Sequence, residues 1–269
     1  MMKKTLTTLF TLLVASAVIA TVVLAGQGQP DTARNHPGKR DKTSNTVKVY
    51  GPGGPLGPIQ ELADRFTKET GIEVEITAGP EAKWIDQAKQ DADLIYGGAE
   101  YMLREMMNNY PDLIDAKSRT ELYSRAAGIL VRTGNPKKIH SLDDLTKPGV
   151  KIIDVNGAGQ LGLWEDLAGR QGLIPGIDHN IAVSVKSSAE AIELWKSNSS
   201  LDAWITYESW HYRLQDVTEL IELPDQDKLY RGTPIAIAKH TDNRKEAQQF
   251  IDYLKTEDSH QVFQKWGWK

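Results

Sequence analysis

The stretch Val47-Lys48-Val49-Tyr50-Gly51-Pro52-Gly53-Gly54-Pro55 decides the fold. Its first four residues suit a strand, and the glycine–proline cluster after them suits a sharp stop. Beyond it, Ile59, Leu62, Ala63 and Phe66 recur at i, i+3, i+4, i+7, the apolar face of a helix that Gly71 ends. Ile72 to Thr77 reads as a second strand, stopped by Ala78-Gly79-Pro80. A helix beginning at Glu81 leads to a third strand, Ala92 to Tyr96, which breaks at Gly97-Gly98. Strand, helix, strand, helix, strand is the order of an α/β layer.

The alternation returns downstream. Ala126 to Val131 is an apolar strand closed by Gly134-Asn135-Pro136, and Ser141-Leu142-Asp143-Asp144 has capping-box spacing for a short helix that Pro148-Gly149 terminates. Lys151 to Val155 enters the turn Asn156-Gly157-Ala158-Gly159-Gln160, after which a helix carries Leu163, Leu167 and Ala168. Ile181 to Val185 and Leu201 to Tyr207 are further strands, separated by a helix that Ser187 to Glu190 caps and that bears Ala191, Ile192 and Trp195. Pro234 to Ala238 is a strand, followed by a helix with Ala247, Phe250, Ile251 and Leu254 and a last one ending near Trp266. The expected fold is α/β with two lobes, each a mostly parallel sheet flanked by helices. Residues 47–125 form lobe 1 and residues 126–238 lobe 2, while residues 239–269 fold back to complete lobe 1.

Toward the N-terminus the chain reads as a targeting segment. Lys3 and Lys4 precede an apolar and small-residue run from Thr5 to Ala25, and Val23-Leu24-Ala25 offers small residues at a cleavage site. Residues 1–25 are expected to be a signal peptide, the alternative being an uncleaved anchor, since the run approaches the ~20 residues that span a bilayer. Residues 26–46 are polar and hold almost no large apolar side chain, as a disordered linker would. The expected location is the periplasm.

Composition narrows the classes. The 269 residues carry a net charge of −4, which speaks against a nucleic-acid partner needing a concentrated basic face. With no cysteine, disulfides, thiolate metal sites and cysteine nucleophiles are excluded. The six histidines show no metal-ligand spacing, so neither a metal nor another cofactor is expected.

Chemistry in such a sheet gathers where strands end and helices begin. Bare backbone stands at those points: Gly53-Gly54, Gly79-Pro80, Gly97-Gly98 and Gly157-Ala158-Gly159. Glycine lets a ligand approach the main chain, and each helix start offers unpaired N–H groups and partial positive charge, worth about 0.3–1 kcal/mol to an anion. Several such starts facing one cleft would make an oxyanion site without arginine or lysine. Gly157-Ala158-Gly159-Gln160-Leu161-Gly162 also matches a dinucleotide fingerprint, but the following strand ends in Lys186 rather than the acid that would hold a ribose. Trp84, Trp204, Tyr207 and Trp210 fall at or beside the loops and would wall an organic ligand, whereas Trp195 and Trp266 read as core. Glu81, Glu100 and Glu208 fall in candidate cleft loops. An alternative function, a secreted hydrolase, would use carboxylates such as Glu81 and Glu208.

Taken together, these segments resemble the periplasmic molybdate- and sulfate-type binding proteins of the type II periplasmic-binding fold. The resemblance rests on the first strand into Gly53-Gly54, on Glu69-Thr70-Gly71-Ile72-Glu73-Val74, Ala92-Asp93-Leu94-Ile95, Ser141 to Leu145 with Pro148 to Ile152, Pro234 to Ile237, and Phe250 to Trp266. Val49 to Pro55 with Gly79 to Trp84 is similar in particular to the accessory colonisation factor branch. The resemblance implies a monomeric receptor without chemistry of its own, closing on a small anion: a sulfate-like or molybdate-like oxyanion, or an organic sulfate, sulfonate or carboxylate. Its partner would be an ABC permease or a chemoreceptor in the inner membrane. The ligand-binding positions it implies, with their neighbours, are Gly53, Gly54, Pro80, Glu81, Trp84, Gly98, Asn156, Gly159, Gln160 and Tyr207. Oxyanion binders of this type supply serine hydroxyls at the first two loops, where this chain has Gly54 and Pro80-Glu81, which points toward an organic anion.

Overall fold

The computed structural model describes residues 46–269; the expected signal segment and, but for Thr46, the expected linker lie outside the described residues. In chain order the elements are β1 (Thr46–Gly51), α1 (Leu56–Thr70), β2 (Glu73–Ala78), α2 (Ile85–Asp91), β3 (Leu94–Tyr96), α3 (Glu100–Asn109) and β4 (Thr120–Glu121). Next come β5 (Arg125–Val131), β6 (Ile152–Val155), α4 (Leu163–Gly169), α5 (Ile174–Asn180), β7 (Ile181–Val185), α6 (Ser188–Ser197), β8 (Ala203–Tyr207), α7 (His211–Leu214), β9 (Glu219–Glu222) and β10 (Tyr230–Arg231). The chain ends with β11 (Pro234–Ile237), α8 (Arg244–Leu254) and α9 (Glu257–Lys265).

The strands form two sheets. The first has the order β2-β1-β3-β11-β4, with β1 parallel to β2 and β3, and β11 antiparallel to β3 and β4. In the second the order is β10-β5-β8-β6-β7, with β9 also on β5. There β6 runs parallel to β7 and β8, and β5 runs antiparallel to its partners. Each sheet thus has a parallel core edged by antiparallel strands, the three-strand cores β2-β1-β3 and β7-β6-β8. Among the described residues no helix is long and apolar enough to cross a membrane.

The helices follow from their apolar faces. Ile59, Leu62, Ala63 and Phe66 of α1 are buried, and Gly71 ends the helix in the left-handed conformation at φ 74° that glycine adopts without strain. Helices α8 and α9 bring Phe250, Ile251, Leu254 and Phe263 onto that face and share one core with Val47, Val49 and Leu94. Ser187 caps α6 by accepting from the Glu190 amide, while Glu190 accepts from the Lys186 amide, so the capping pattern is realised. Ser141 does not do the same. Asp144 takes the His140 amide instead, and the segment makes one tight turn, Asp143–Thr146.

One strand changes sheets relative to the expected boundary at residue 238. Pro234–Ile237 sits between β3 and β4, with Ile235, Ala236 and Ile237 opposite Tyr96, Ile95 and Leu94. All four residues of β11 are buried, with neighbours on both edges, and only two residues separate it from the second sheet's β10. Pro234, which has no N–H to give, takes the strand's first position.

The chain therefore passes between the sheets twice, through residues 122–124 and 232–233. The segment after α9 fastens both passages. Trp268 bridges to Arg125, the Lys269 amide donates to the Ser124 carbonyl at 2.8 Å, and Trp268 Nε1 donates to Thr233 Oγ1 at 3.0 Å.

Candidate functional site

Two of the glycine turns meet at Arg125, the first residue of β5, and a third lies against one of them. Every residue of β5 is buried, so an arginine at its head is drawn inside: Arg125 is 2% exposed. Its Nη2 donates to the Gly98 carbonyl, and a Cβ placed on Gly54 would stand 3.0 Å from Nη1. The guanidinium lies 4.0 Å from the centre of the Tyr207 ring and 5.3 Å from that of Trp268. Among the described residues no carboxylate pairs with it, and its Nε is buried without a hydrogen-bond partner. Burial pushes its pKa down, against the pull of Tyr207 and Glu100, yet a guanidinium stays charged. An unpaired buried charge costs several kcal/mol, a cost an anion would offset.

The third turn comes from the other sheet. Gly159 holds φ 86°, and a Cβ there would stand 3.3 Å from the Gly98 carbonyl and 3.1 Å from Met102 Sδ. Only two glycines let these backbones meet. The Tyr207 hydroxyl donates to the Gly159 carbonyl; burial pushes its pKa up to about 12, so it keeps its proton. Tyr101 on α3 accepts the Leu161 amide at 3.2 Å and ties the two sides, whereas the Tyr207–Gly159 bond lies within the second.

Gly53 and Trp210 extend the group. The Gly53 carbonyl accepts from Arg213 Nη1 at 2.8 Å, and the Arg213 guanidinium lies over the Trp210 ring at 4.9 Å. Trp210 Cζ2 would touch a Cβ on Gly54 at 3.9 Å, and its other neighbour is the Trp204 ring. Gln160 is buried beside Gly159, with Nε2 donating to Ser188 Oγ at 2.8 Å and Oε1 unpartnered.

The second turn is placed elsewhere. Trp84 is buried in the first sheet's core, its ring centre 6.0 Å from that of Tyr50 and its Nε1 on the Gly79 carbonyl. The tight turn at Glu81–Lys83 aims it inward, so it walls no cleft. Pro80 is exposed, and Glu81 accepts the Tyr110 hydroxyl at 2.9 Å. Asn156 is exposed and joins the site by neither hydrogen bond nor ion pair; its amide donates to the Val185 carbonyl. An oxyanion site free of arginine was expected; the structure places the buried Arg125 beside two of its turns. The signal was visible: a basic residue heading an otherwise apolar run.

Glu208 follows Tyr207 but turns away, to Lys269 at 3.5 Å and Lys228 at 3.7 Å. It shares no partner with Glu81. Burial raises its pKa, only partly opposed by Lys228 and Lys269. The folded protein then binds more protons than the unfolded chain just above the ordinary carboxylate range, so this group's contribution falls as pH rises through that window. Glu208→Gln is expected to raise unfolding free energy at pH 7, on the order of 1 kcal/mol, with the gain vanishing by pH 4. Urea titrations at the two pH values check it. Among the described residues no group of His, Asp and Glu is arranged to hold a metal.

Comparison with known proteins gives the geometry a lineage. The family described as bacterial extracellular solute-binding protein matches residues 47–269. PEB3 with bound L-phospholactate is 31% identical, with a TM-score of 0.77 over 83% of this chain and 99% of that one. The periplasmic molybdate-binding protein of Azotobacter vinelandii shares the fold at 18% identity and TM-score 0.65, over 83% of this chain and 98% of that one. A sulfate-binding protein of Synechococcus elongatus is 25% identical over 160 residues, 52% of this chain and 45% of that protein, so the chain spans under half of that relative.

Proposed function

The chain belongs to the bacterial extracellular solute-binding proteins, and from that premise we propose that it is a periplasmic receptor holding a small anion between two lobes. It would deliver that anion to an ABC permease or a chemoreceptor and perform no chemistry on it. The observation that carries this reading is Arg125: a buried guanidinium, without a carboxylate, against the Gly54 and Gly98 turns. A protein that retains such a charge gains from an anion brought to it. A cationic partner in place of serine hydroxyls also favours a fully ionised group such as a sulfate, sulfonate, phosphate or carboxylate. PEB3, which has been solved with L-phospholactate, supports including phosphorylated carboxylates among the candidates.

The test is a thermal-shift screen against sulfate, molybdate, alkyl sulfonates, carboxylates and L-phospholactate, with turnover assayed in parallel. A ligand at 100 times its Kd adds ~2.7 kcal/mol, or about 5–10 °C for a body of this size. Hydrolysis of any hit, lost in Glu81→Gln or Glu208→Gln, would overturn the receptor reading in favour of the hydrolase.

Gly54→Val probes the placement. Its branched side chain would occupy the space beside Arg125 Nη1, at a position whose φ is not in the left-handed region. Anion affinity is expected to fall about 100-fold or more, while the melting temperature stays within about 2 °C. Calorimetric titration of the strongest ligand checks it.

A further inference from the structure

Resting on that reading, we infer that Arg213 is a second anion contact, so that the ligand is a short organic molecule with two acidic groups rather than one tetrahedral oxyanion. Most arginines in the described residues have an evident partner. Arg65, Arg119, Arg231 and Arg244 pair with Glu61, Glu121, Asp166 and Asp115. Arg132 donates to the carbonyls of Trp195, Asn198 and Leu201, which ends α6. Arg104 stands exposed on α3 and Arg170 exposed just after α4, neither near a glycine turn of the site. Arg125, buried, and Arg213, exposed, differ from these by place: neither has a carboxylate, each donates to one backbone carbonyl, and both sit at the Gly53-Gly54 turn.

Trp210 presents its face to Arg213 and its edge to the Gly54 position, where Arg125 also lies. Two guanidinium groups beside one indole suit a small carbon body with an acidic group at each end. The same turn carries a further donor. The ring of Tyr96 lies against Gly51, two residues before Gly53, and its hydroxyl is wholly buried with no hydrogen-bond partner. A single oxyanion held by Arg125 leaves Arg213 with only the Gly53 carbonyl and the Tyr96 hydroxyl with no acceptor. The ligand class is a phosphorylated or sulfated short-chain carboxylate, or a short dicarboxylate.

Calorimetry on the full chain separates the alternatives, with L-phospholactate as the two-group probe and ethyl phosphate and L-lactate as one-group probes. The unaltered protein is expected to bind L-phospholactate at least about 100-fold more tightly than either one-group probe. Arg213→Met should weaken L-phospholactate by about 30- to 100-fold, the size of one charge-assisted pair, and ethyl phosphate by less than about threefold. Arg213→Lys should recover part of the loss. Equal weakening of L-phospholactate and ethyl phosphate would overturn the inference, because Arg213 would then share one oxyanion or merely position the Gly53 turn. No weakening of either would overturn it as well. If the unaltered protein bound sulfate, molybdate or a sulfonate but not L-phospholactate, this inference would fall and the receptor would stand; if it bound no anion, the receptor reading itself would fall.

Discussion

Replacing Arg125 with methionine is expected to remove anion binding while leaving the anion-free protein at least as stable. Two charge-assisted hydrogen bonds to an anion are worth about 1.5–3 kcal/mol each, so affinity should drop by about 100-fold or more. Stability moves the other way. The substitution gives up the bond to the Gly98 carbonyl and the stacking on Tyr207 and Trp268, about 0.5–2 kcal/mol each. Against that, it removes an ion whose burial without a counter-charge costs several kcal/mol, and methionine fills an irregular space with apolar atoms. Melting curves with and without ligand read both quantities. A variant that lost several kcal/mol in the absence of ligand would mean that Arg125 serves the fold, and a preserved ligand shift would place the site elsewhere.

The second large effect concerns stability alone. Asp93 is buried, and its carboxylate accepts the Lys48 amide at 2.8 Å, the Thr241 hydroxyl and the Asn243 amide side chain. Its own backbone donates to the Lys48 carbonyl and accepts from the Ala238 amide. One side chain thus ties β1 and β3 to the turn that launches α8. Asp93→Ala strands those donors, each unsatisfied group costing about 1–3 kcal/mol, so a loss of about 3–5 kcal/mol is expected. For a body of this size that is a fall of about 8–15 °C in Tm. The ligand-induced shift measured from the lower baseline should be unchanged. Urea unfolding monitored by circular dichroism gives the first number, and a loss below about 1 kcal/mol would mean that water replaces the carboxylate.

How much of this was legible in the sequence follows from the range of each interaction. Periodicity and turn chemistry act over a few residues, so α1, α6, α8 and the strands β1, β2, β3, β6, β7 and β8 stand close to where the patterns place them. The return of α8 and α9 onto α1 was also readable, because their apolar faces had no strands of their own to cover. Strand partnership is a long-range choice. Nothing local in Pro234–Ile237 says that it enters the first sheet, and β4, β9 and β10 are too short to leave a pattern. Helices α3 and α5 went unread for a related reason, with only Leu103 and Met106 buried on α3 and Ile177 and Asn180 on α5. At the site, the Gly54, Gly98 and Gly159 turns and Tyr207 come together, since glycine before a helix marks close approach of backbones. The burial of Arg125 is not written in the local pattern, since a lone arginine beside a strand usually points to solvent. That of Trp84 is not either, because a one-turn helix decides which way it faces.

The segment Gly267–Lys269, fastened to both passages between the sheets, bears on the order of events in binding. Any rotation of one sheet against the other turns about those passages, and Arg125 stands at the first of them, bridged to Trp268. A residue near a pivot is displaced least by the rotation. Its charge is therefore presented in nearly the same place whether the Gly159 loop has swung away or lies on Gly98. In the proposed receptor, capture and burial of the anion would then be separable steps. The first would be governed by long-range attraction and slow as salt is added, and the second by the Tyr101 tie that holds the loop against α3. A substitution at Tyr101 would act on how long a ligand stays, while ionic strength would act on how fast it arrives.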